Sequence, residues 1–89
     1  MTDIHRIKKS VAYRFIDGQA VLVDSGTNRM IMLNHTGSDV WQGIEEGKTL
    51  AQITALIVRD YDIDNKAAEA DVSGFVREML IKNLVEPVD

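Results

Sequence analysis

Apolar and polar residues alternate in the first third of the chain in a pattern that predicts an antiparallel meander. Two β-rich runs in VAYRFIDGQAVLVD, residues 11–24, flank Asp17-Gly18. Asp-Gly indicates a two-residue hairpin, because a type I′ turn needs positive φ at both positions. A second turn, DSGTN at 24–28, leads into a third strand at 29–33. We therefore expect three paired strands, with the second in the centre and the others at the edges.

The third strand lacks the protection that edge strands usually carry. In RMIMLN, residues 29–34, four apolar residues follow Arg29, whereas the first strand has Arg14 in its middle. Natural sheets block their edges with charges or proline, because an open edge pairs readily with other strands. The third strand is thus expected to receive a partner, either an extended peptide or a second copy of this chain.

The sequence after residue 34 has the periodicity of helices. The first helix is expected to take Thr36 as its N-cap, with Asp39 as a weak capping-box partner, and to stop at Gly47. The second should begin at the capping box of Thr49 and Gln52. The final LVEPV is compatible with a short strand or with an extended cap, since proline prevents a helix there.

A third helix is predicted from Asp64 to about Asn83, and it carries two stripes. The core stripe is apolar at helical spacing and consists of Ala68, Val72, Phe75 and Met79. The other stripe is made mostly of small residues: Ala67, Ala70, Gly74, Arg77 and Ile81. Glycine inside a helix costs about 0.8–1 kcal/mol relative to alanine. Gly74 therefore indicates either tight packing against another helix or the floor of a groove that another backbone approaches.

Composition limits the chain to one small domain. It has 89 residues, of which 45% are hydrophobic and 27% charged, a globular mixture with a modest core and no room for a deep substrate cavity. We expect a tail over residues 1–10 and a domain over residues 11–86. No apolar run approaches a membrane span or the core of a signal peptide, so a cytoplasmic protein without membrane contact is expected.

No motif indicates catalysis, a metal or a cofactor. The chain has no cysteine, which excludes thiol nucleophiles, disulfides and zinc fingers. His5 and His35 are far apart and are expected on the surface. Neither phosphate-binding glycine motif is present, and most carboxylates fall at expected helix ends or on exposed faces. We therefore expect a binding domain rather than an enzyme.

A winged-helix regulator that binds DNA is the alternative, because strands with three short helices are common in such proteins. The net charge is −4, however, and nucleic-acid binding normally needs a basic surface. The last helix would present Asp64, Glu69 and Asp71 in its first two turns. Repulsion of phosphates disfavours this alternative, and no nucleic-acid partner is expected.

Several weak motifs occur in an order that resembles the PqqD family (pyrroloquinoline quinone biosynthesis protein D). The family pattern has Leu-Asn leaving a strand, T-G opening a helix, a G-x-T-x-x-x-I element, and later Y-D, D-V and L-V pairs. Its positions are occupied here by Leu33, Asn34, Thr36, Gly37, Trp41, Gly47, Thr49, Ile53, Tyr61, Asp71, Val72, Phe75, Leu84 and Val85. The resemblance covers residues 11–86.

The resemblance implies an α+β, winged-helix-like fold in which a three-stranded antiparallel meander is followed by three helices. It also implies a peptide chaperone that holds the leader of a ribosomally made precursor and presents it to a modifying enzyme. In the quinone pathway that enzyme is a radical S-adenosylmethionine protein. HRIKKSVAY stands where members of that pathway have a proline-containing segment, so the pathway stays open, as does the choice between monomer and homodimer.

The family's cleft lies between the third strand and the third helix. Carried over by position, it comprises Arg29, Met30, Ile31, Met32, Leu33, Ala67, Ala70, Asp71, Gly74, Arg77, Glu78 and Ile81. Arg29 and Arg77 are expected to orient acidic residues of the leader, because charge-assisted contacts contribute to specificity.

Overall fold

The computed structural model describes residues 3–88 and contains an antiparallel meander, a second small sheet and three helices in that range. The elements in chain order are β1 (His5–Ile7), β2 (Val11–Ile16), β3 (Gln19–Asp24), β4 (Arg29–Met32), α1 (His35–Glu45), α2 (Leu50–Tyr61), α3 (Asn65–Ile81) and β5 (Val85–Pro87). The meander has the order β2-β3-β4, and β1 pairs with β5. The α+β meander followed by three helices is confirmed.

The turns of the meander have the expected local chemistry. Asp17 and Gly18 have φ values of 52° and 80°, as a type I′ turn requires. In the second turn the Asp24 carboxylate accepts hydrogen bonds from the Gly26 N–H and the Thr27 hydroxyl, both at 3.1 Å. The Gly26 bond, with those from Thr27 and Arg29, lowers the pKa of Asp24 below its usual 3.8. This carboxylate therefore stabilises the turn that leads into β4.

Residues 5–7, expected to lie in an N-terminal tail, form a strand. β1 is antiparallel to β5, and Arg6 pairs with Glu86 both in register and through an ion pair at 2.7 Å. His5, expected on the surface, is only 7% exposed, because β1 also packs against α1. The partners in this sheet are about 80 positions apart, which no local pattern could indicate.

The N-caps of α2 and α3 agree with the sequence, Asp64 being the N-cap of α3, and the N-cap of α1 differs. The capping box of α2 is confirmed, since Thr49 and Gln52 exchange hydrogen bonds of 3.1 and 2.8 Å. The N-cap of α1 is Asn34 and not Thr36, because the Asn34 Oδ1 accepts the Gly37 N–H at 2.7 Å. The helix begins two residues earlier than expected and directly follows the loop from β4.

The hydrophobic core lies between the helices and one face of the meander. Trp41 of α1 is fully buried and makes an edge-to-face contact with Tyr13, with 5.6 Å between the ring centroids. α1 also lies against β3, where the Ala20 N–H donates to the Ser38 hydroxyl at 2.7 Å. The buried stripe of α3 is as predicted, with Phe75 half-buried at its margin. No helix within residues 3–88 is long and apolar enough to cross a bilayer.

Candidate functional site

β4 is an edge strand whose main chain is unpaired on one side in the described sheet, since it pairs with β3 alone. The Leu33 N–H donates to the Ala20 carbonyl at 2.9 Å, in register with the ladder. Main-chain groups of successive residues in an antiparallel strand point to opposite sides. Ile31 therefore faces β3, and Met30 and Met32 direct their N–H and C=O groups to the free edge.

The side chains of β4 alternate in the other direction, between the core and the outer face of the sheet. Ile31 is half-buried and Leu33 is buried, and both belong to or pack against the core. Met30 and Met32 are 74% and 66% exposed. The run of apolar residues thus divides into two that hold the strand in place and two that are available to a partner.

A groove of about 390 Å³ lies between the start of α1 and the middle of α3. One wall is formed by the N-cap Asn34 with Thr36, Gly37 and Val40 of α1, and the other by Asp71, Gly74, Phe75 and Glu78 of α3. Asn34, the first lining residue of the groove in chain order, is two positions beyond the end of β4, roughly 7 Å along an extended chain. The groove therefore begins close to the C-terminal end of β4.

Gly74 leaves the groove open rather than allowing tight packing. A Cβ atom built on it would meet nothing within 4 Å. At Gly43, in contrast, the same atom would lie 2.7 Å from Ile53 Cγ1, so the close approach of two helices occurs there, between α1 and α2. The packing explanation for Gly74 is wrong, and the explanation as a groove wall agrees with the geometry.

The structure brings only part of the predicted α3 stripe to the groove. Asp71, Gly74 and Glu78 line it, and the exposed Ala67 precedes Asp71 by one turn. The three others are exposed but are not among the residues that line the groove; they are Ala70, Arg77 and Ile81.

Arg29 is held by contacts inside the domain. Its Nη2 donates to the Lys82 carbonyl at 2.9 Å and lies 3.5 Å from the Asp24 carboxylate. Lys82 is the C-cap of α3, so Arg29 ties the start of β4 to the end of that helix. The charged residues that line the groove are Asp71 and Glu78, of which Glu78 lies 3.7 Å from the Lys82 ammonium.

The α1 wall of the groove was not predicted as part of the site. From the sequence, Asn34, Thr36 and Gly37 were named only as positions of the family motif, and Thr36 also as the expected N-cap. The signal that could have located them is the Asn-His-Thr-Gly run: Asn34 caps α1 directly after the edge strand, and Gly37 lies against the Phe75 ring. A Cβ on Gly37 would be 3.0 Å from Phe75 Cε1, so these two residues set the depth of the groove.

The tyrosines with shifted pKa values join secondary-structure elements away from the groove. Partial burial and a 2.6 Å hydrogen bond to Glu45 raise the pKa of Tyr13 to about 12. A hydrogen bond of the same length to Asp39 raises the pKa of Tyr61. These contacts join β2 to α1 and α1 to α2. Within residues 3–88 no group of three His, Asp or Glu side chains is placed to hold a metal ion.

The family is decided by a match over residues 19–85 to the family model described as coenzyme PQQ synthesis protein D (PqqD). The chain belongs to the PqqD family. The match spans β3 to β5 and so includes the edge of β4 and both walls of the groove. No curated protein sequence matches the chain significantly.

Three solved structures resemble this PqqD-family domain. TbiB1 in complex with the TbiA(beta) leader peptide is 31% identical, with a TM-score of 0.87 over 94% of this chain and 98% of that one. A lasso peptide synthetase B1 complexed with the leader peptide is 20% identical (TM-score 0.86; 93% and 98% covered). The solution structure of the PqqD truncation of Methylobacterium extorquens PqqCD, a stand-alone recognition element for ribosomally synthesised and modified peptides, is 24% identical (TM-score 0.75; 94% and 89% covered).

Proposed function

We propose that this PqqD-family domain binds the leader of a ribosomally synthesised precursor peptide by strand addition at β4 and presents it to a modifying enzyme. The observation that carries the proposal is the free edge of Met30 and Met32 beside an open groove. Extended peptides commonly add to such edges, with main-chain bonds for affinity and side-chain pockets for specificity. TbiB1, at 31% identity over nearly the whole chain, was solved with a leader peptide, which supports this function.

The free edge by itself is too weak for tight binding. Met30 and Met32 offer two N–H and two C=O groups, and four hydrogen bonds contribute about 2–6 kcal/mol at about 0.5–1.5 each. Micromolar binding needs about 8 kcal/mol after the entropic cost of association. The groove must supply the difference through peptide side chains that contact Phe75, Val40 and the open space at Gly74.

The charge of the groove favours a leader with a cationic residue at this position. Asp71 and Glu78 line the groove, whereas Arg29 is bound to Lys82 and Asp24 and Arg77 is exposed but does not line the groove. We therefore assign charge selection to the two carboxylates rather than to the arginines named from the sequence. Such contacts direct specificity and association rate more than affinity.

The identity of the bound leader peptide determines which enzyme modifies it and in which pathway. The family description names coenzyme PQQ synthesis, for which the partner would be a radical S-adenosylmethionine enzyme, while a lasso peptide synthetase is among the similar structures. We propose that the domain acts in the cytoplasm, where such precursors are made, and has no catalysis of its own. In support, the tyrosine and aspartate groups with shifted pKa values make structural contacts. The comparisons give no support to DNA binding.

An amide-resolved NMR titration with the precursor peptide encoded nearest to this chain tests the proposal. Shifts should be confined to β4 and to the groove at residues 34–40 and 71–78, with a scrambled peptide as control. Absence of shifts at high peptide concentration, with the domain folded, would contradict leader binding. Shifts confined to α2 would contradict binding at this edge.

A further inference from the structure

The outer sheet face is the side of the meander that lies away from the helices, and it is apolar and exposed. We define it by six residues: Arg14, Ile16, Val21, Val23, Met30 and Met32. Ile16 is 49% exposed and Val23 is 38% exposed, and the face contains a shallow depression of about 490 Å³. Contiguous exposed apolar patches of this kind often mark interaction sites.

The register of the three strands makes this face continuous. Arg14 lies opposite Val21, which lies opposite Met32, and Val23 lies opposite Met30 in the next row. Arg14 is the charged member of these rows. A complementary surface would therefore be apolar and would carry a carboxylate opposite Arg14.

The outer sheet face is also continuous with the proposed peptide edge, because Met30 and Met32 belong to both. Their main-chain groups face the free edge, and their side chains lie on the outer face. Alternate side chains of a strand point to the same side of a sheet. A peptide strand added to β4 would therefore place every second side chain beside the two methionines and extend the outer sheet face.

We propose that the outer sheet face docks the enzyme that modifies the peptide bound at β4, through an apolar surface with a carboxylate that pairs with Arg14. This inference rests on the proposed function, since the bound peptide completes the docking surface. The enzyme thereby contacts the loaded domain more extensively than the empty one. Methionine side chains suit this role, because they adapt to more than one neighbour.

Self-association through the same face is less favourable. A two-fold interface places the same patch on both partners, so the Arg14 residues of the two copies would share one apolar interface. No carboxylate lies among the six defining residues, and burying unpaired charges is costly. The chemistry of the face therefore fits a different protein better than a second copy.

The test uses Arg14→Glu and the double variant Ile16→Thr/Val23→Thr, with Arg59→Glu as the matched charge-reversal control. Threonine keeps the β-branching that strands favour, and Arg59 is an exposed residue of α2. For each folded variant, the affinity for the neighbouring precursor peptide is measured first. The rate of peptide modification by the enzyme encoded beside this chain is then measured against domain concentration.

The proposal expects peptide affinity within about twofold of the wild type and modification at least about tenfold slower for Arg14→Glu, with Arg59→Glu unaffected. The double variant should also slow modification, and it keeps the test decisive if charge reversal unfolds the domain. Unchanged modification by both variants would overturn the inference and leave the proposed function standing. A wild-type dimer in sedimentation that dissociates in both variants would also overturn it, in favour of a second copy. Failure of the wild type to bind peptide would contradict the proposed function itself.

Discussion

Proline substitutions at two neighbouring positions of β4 should have opposite effects, because adjacent main-chain groups point to opposite sides. Ile31 faces β3, and Met32 faces the free edge, as the ladder register and the Leu33–Ala20 hydrogen bond indicate. Ile31→Pro removes a donor from the ladder, whereas Met32→Pro removes one that only an added strand would use. Proline is tolerated in edge strands where the missing N–H would face outward.

The loss of stability is expected for Ile31→Pro alone. Its ladder partner is Leu22, whose carbonyl would lose its donor at a cost of about 1–3 kcal/mol. At about 4–8 °C per kcal/mol for a domain of this size, the melting temperature should fall by roughly 4–24 °C. Ile31→Ala is the control for the lost side chain. Met32→Pro should melt within a few degrees of the wild type.

The loss of peptide binding is expected for Met32→Pro. The substitution removes a hydrogen bond and leaves the peptide carbonyl without a partner, a combined loss of more than about 1.4 kcal/mol or tenfold in Kd. Thermal unfolding and peptide anisotropy measure the two effects, with Met32→Ala as the side-chain control. Full stability of Ile31→Pro with unfolding of Met32→Pro would refute the assigned sidedness of β4. A stable Met32→Pro with wild-type affinity would refute strand addition at this edge.

Further substitutions test the groove, the helix packing and the loop before β4. Gly74→Leu should block peptide binding with little change in melting temperature, since the space around Gly74 is open; a large loss of stability would contradict this. Gly43→Ala should destabilise the domain by about 1–3 kcal/mol in urea unfolding through overpacking against α2, and unchanged stability would show that Ile53 moves aside. In titration calorimetry, Asp71→Lys should weaken the binding of a leader that has a cationic residue and leave the binding of a neutral variant of that leader unchanged. Equal effects on both peptides would exclude charge selection. The pKa of Asp24 is lowered in the folded state, so the ionised carboxylate stabilises the folded domain. This stabilisation is fully present above about pH 4 and is lost as the pH falls through the pKa of the folded state. The melting temperatures of wild type and Asp24→Asn should therefore differ at pH 7 and converge toward pH 2; a constant difference would argue against this linkage.

Local sequence determined the elements whose chemistry is complete within a few residues. The Asp17-Gly18 turn follows from two positions that accept positive φ. The start of α2 follows from the reciprocal bonds of Thr49 and Gln52. The buried stripe of α3 follows from helical spacing. In each case one short segment contains both partners of the interaction that fixes the structure.

Only part of the candidate site could be predicted from the sequence, because its residues lie far apart along the chain. The exposed edge followed from the lack of blocking charges in β4, and the family resemblance placed Asp71, Gly74 and Glu78 near it. The wall from α1 was missed, because a residue such as Asn34 reaches α3 only through the packing of the two helices. Likewise, the contact that holds Arg29 joins it to Lys82, 53 positions away.

Tertiary structure alone decided which groups are free to act. The sequence of β4 is compatible with either main-chain sidedness, since a shift by one residue exchanges the two sides of a strand; the register with β3 selects Met30 and Met32 for the free edge. Whether Gly74 is packed or open depends on what lies opposite it, and nothing lies within 4 Å of its Cβ position. The pairing of β1 with β5 likewise arises when the ends of the chain meet. Local hydrogen bonds and helical periodicity depend on residues that are close in the sequence. Strand register, the open space beside Gly74 and the pairing of distant strands are determined only when the chain has folded.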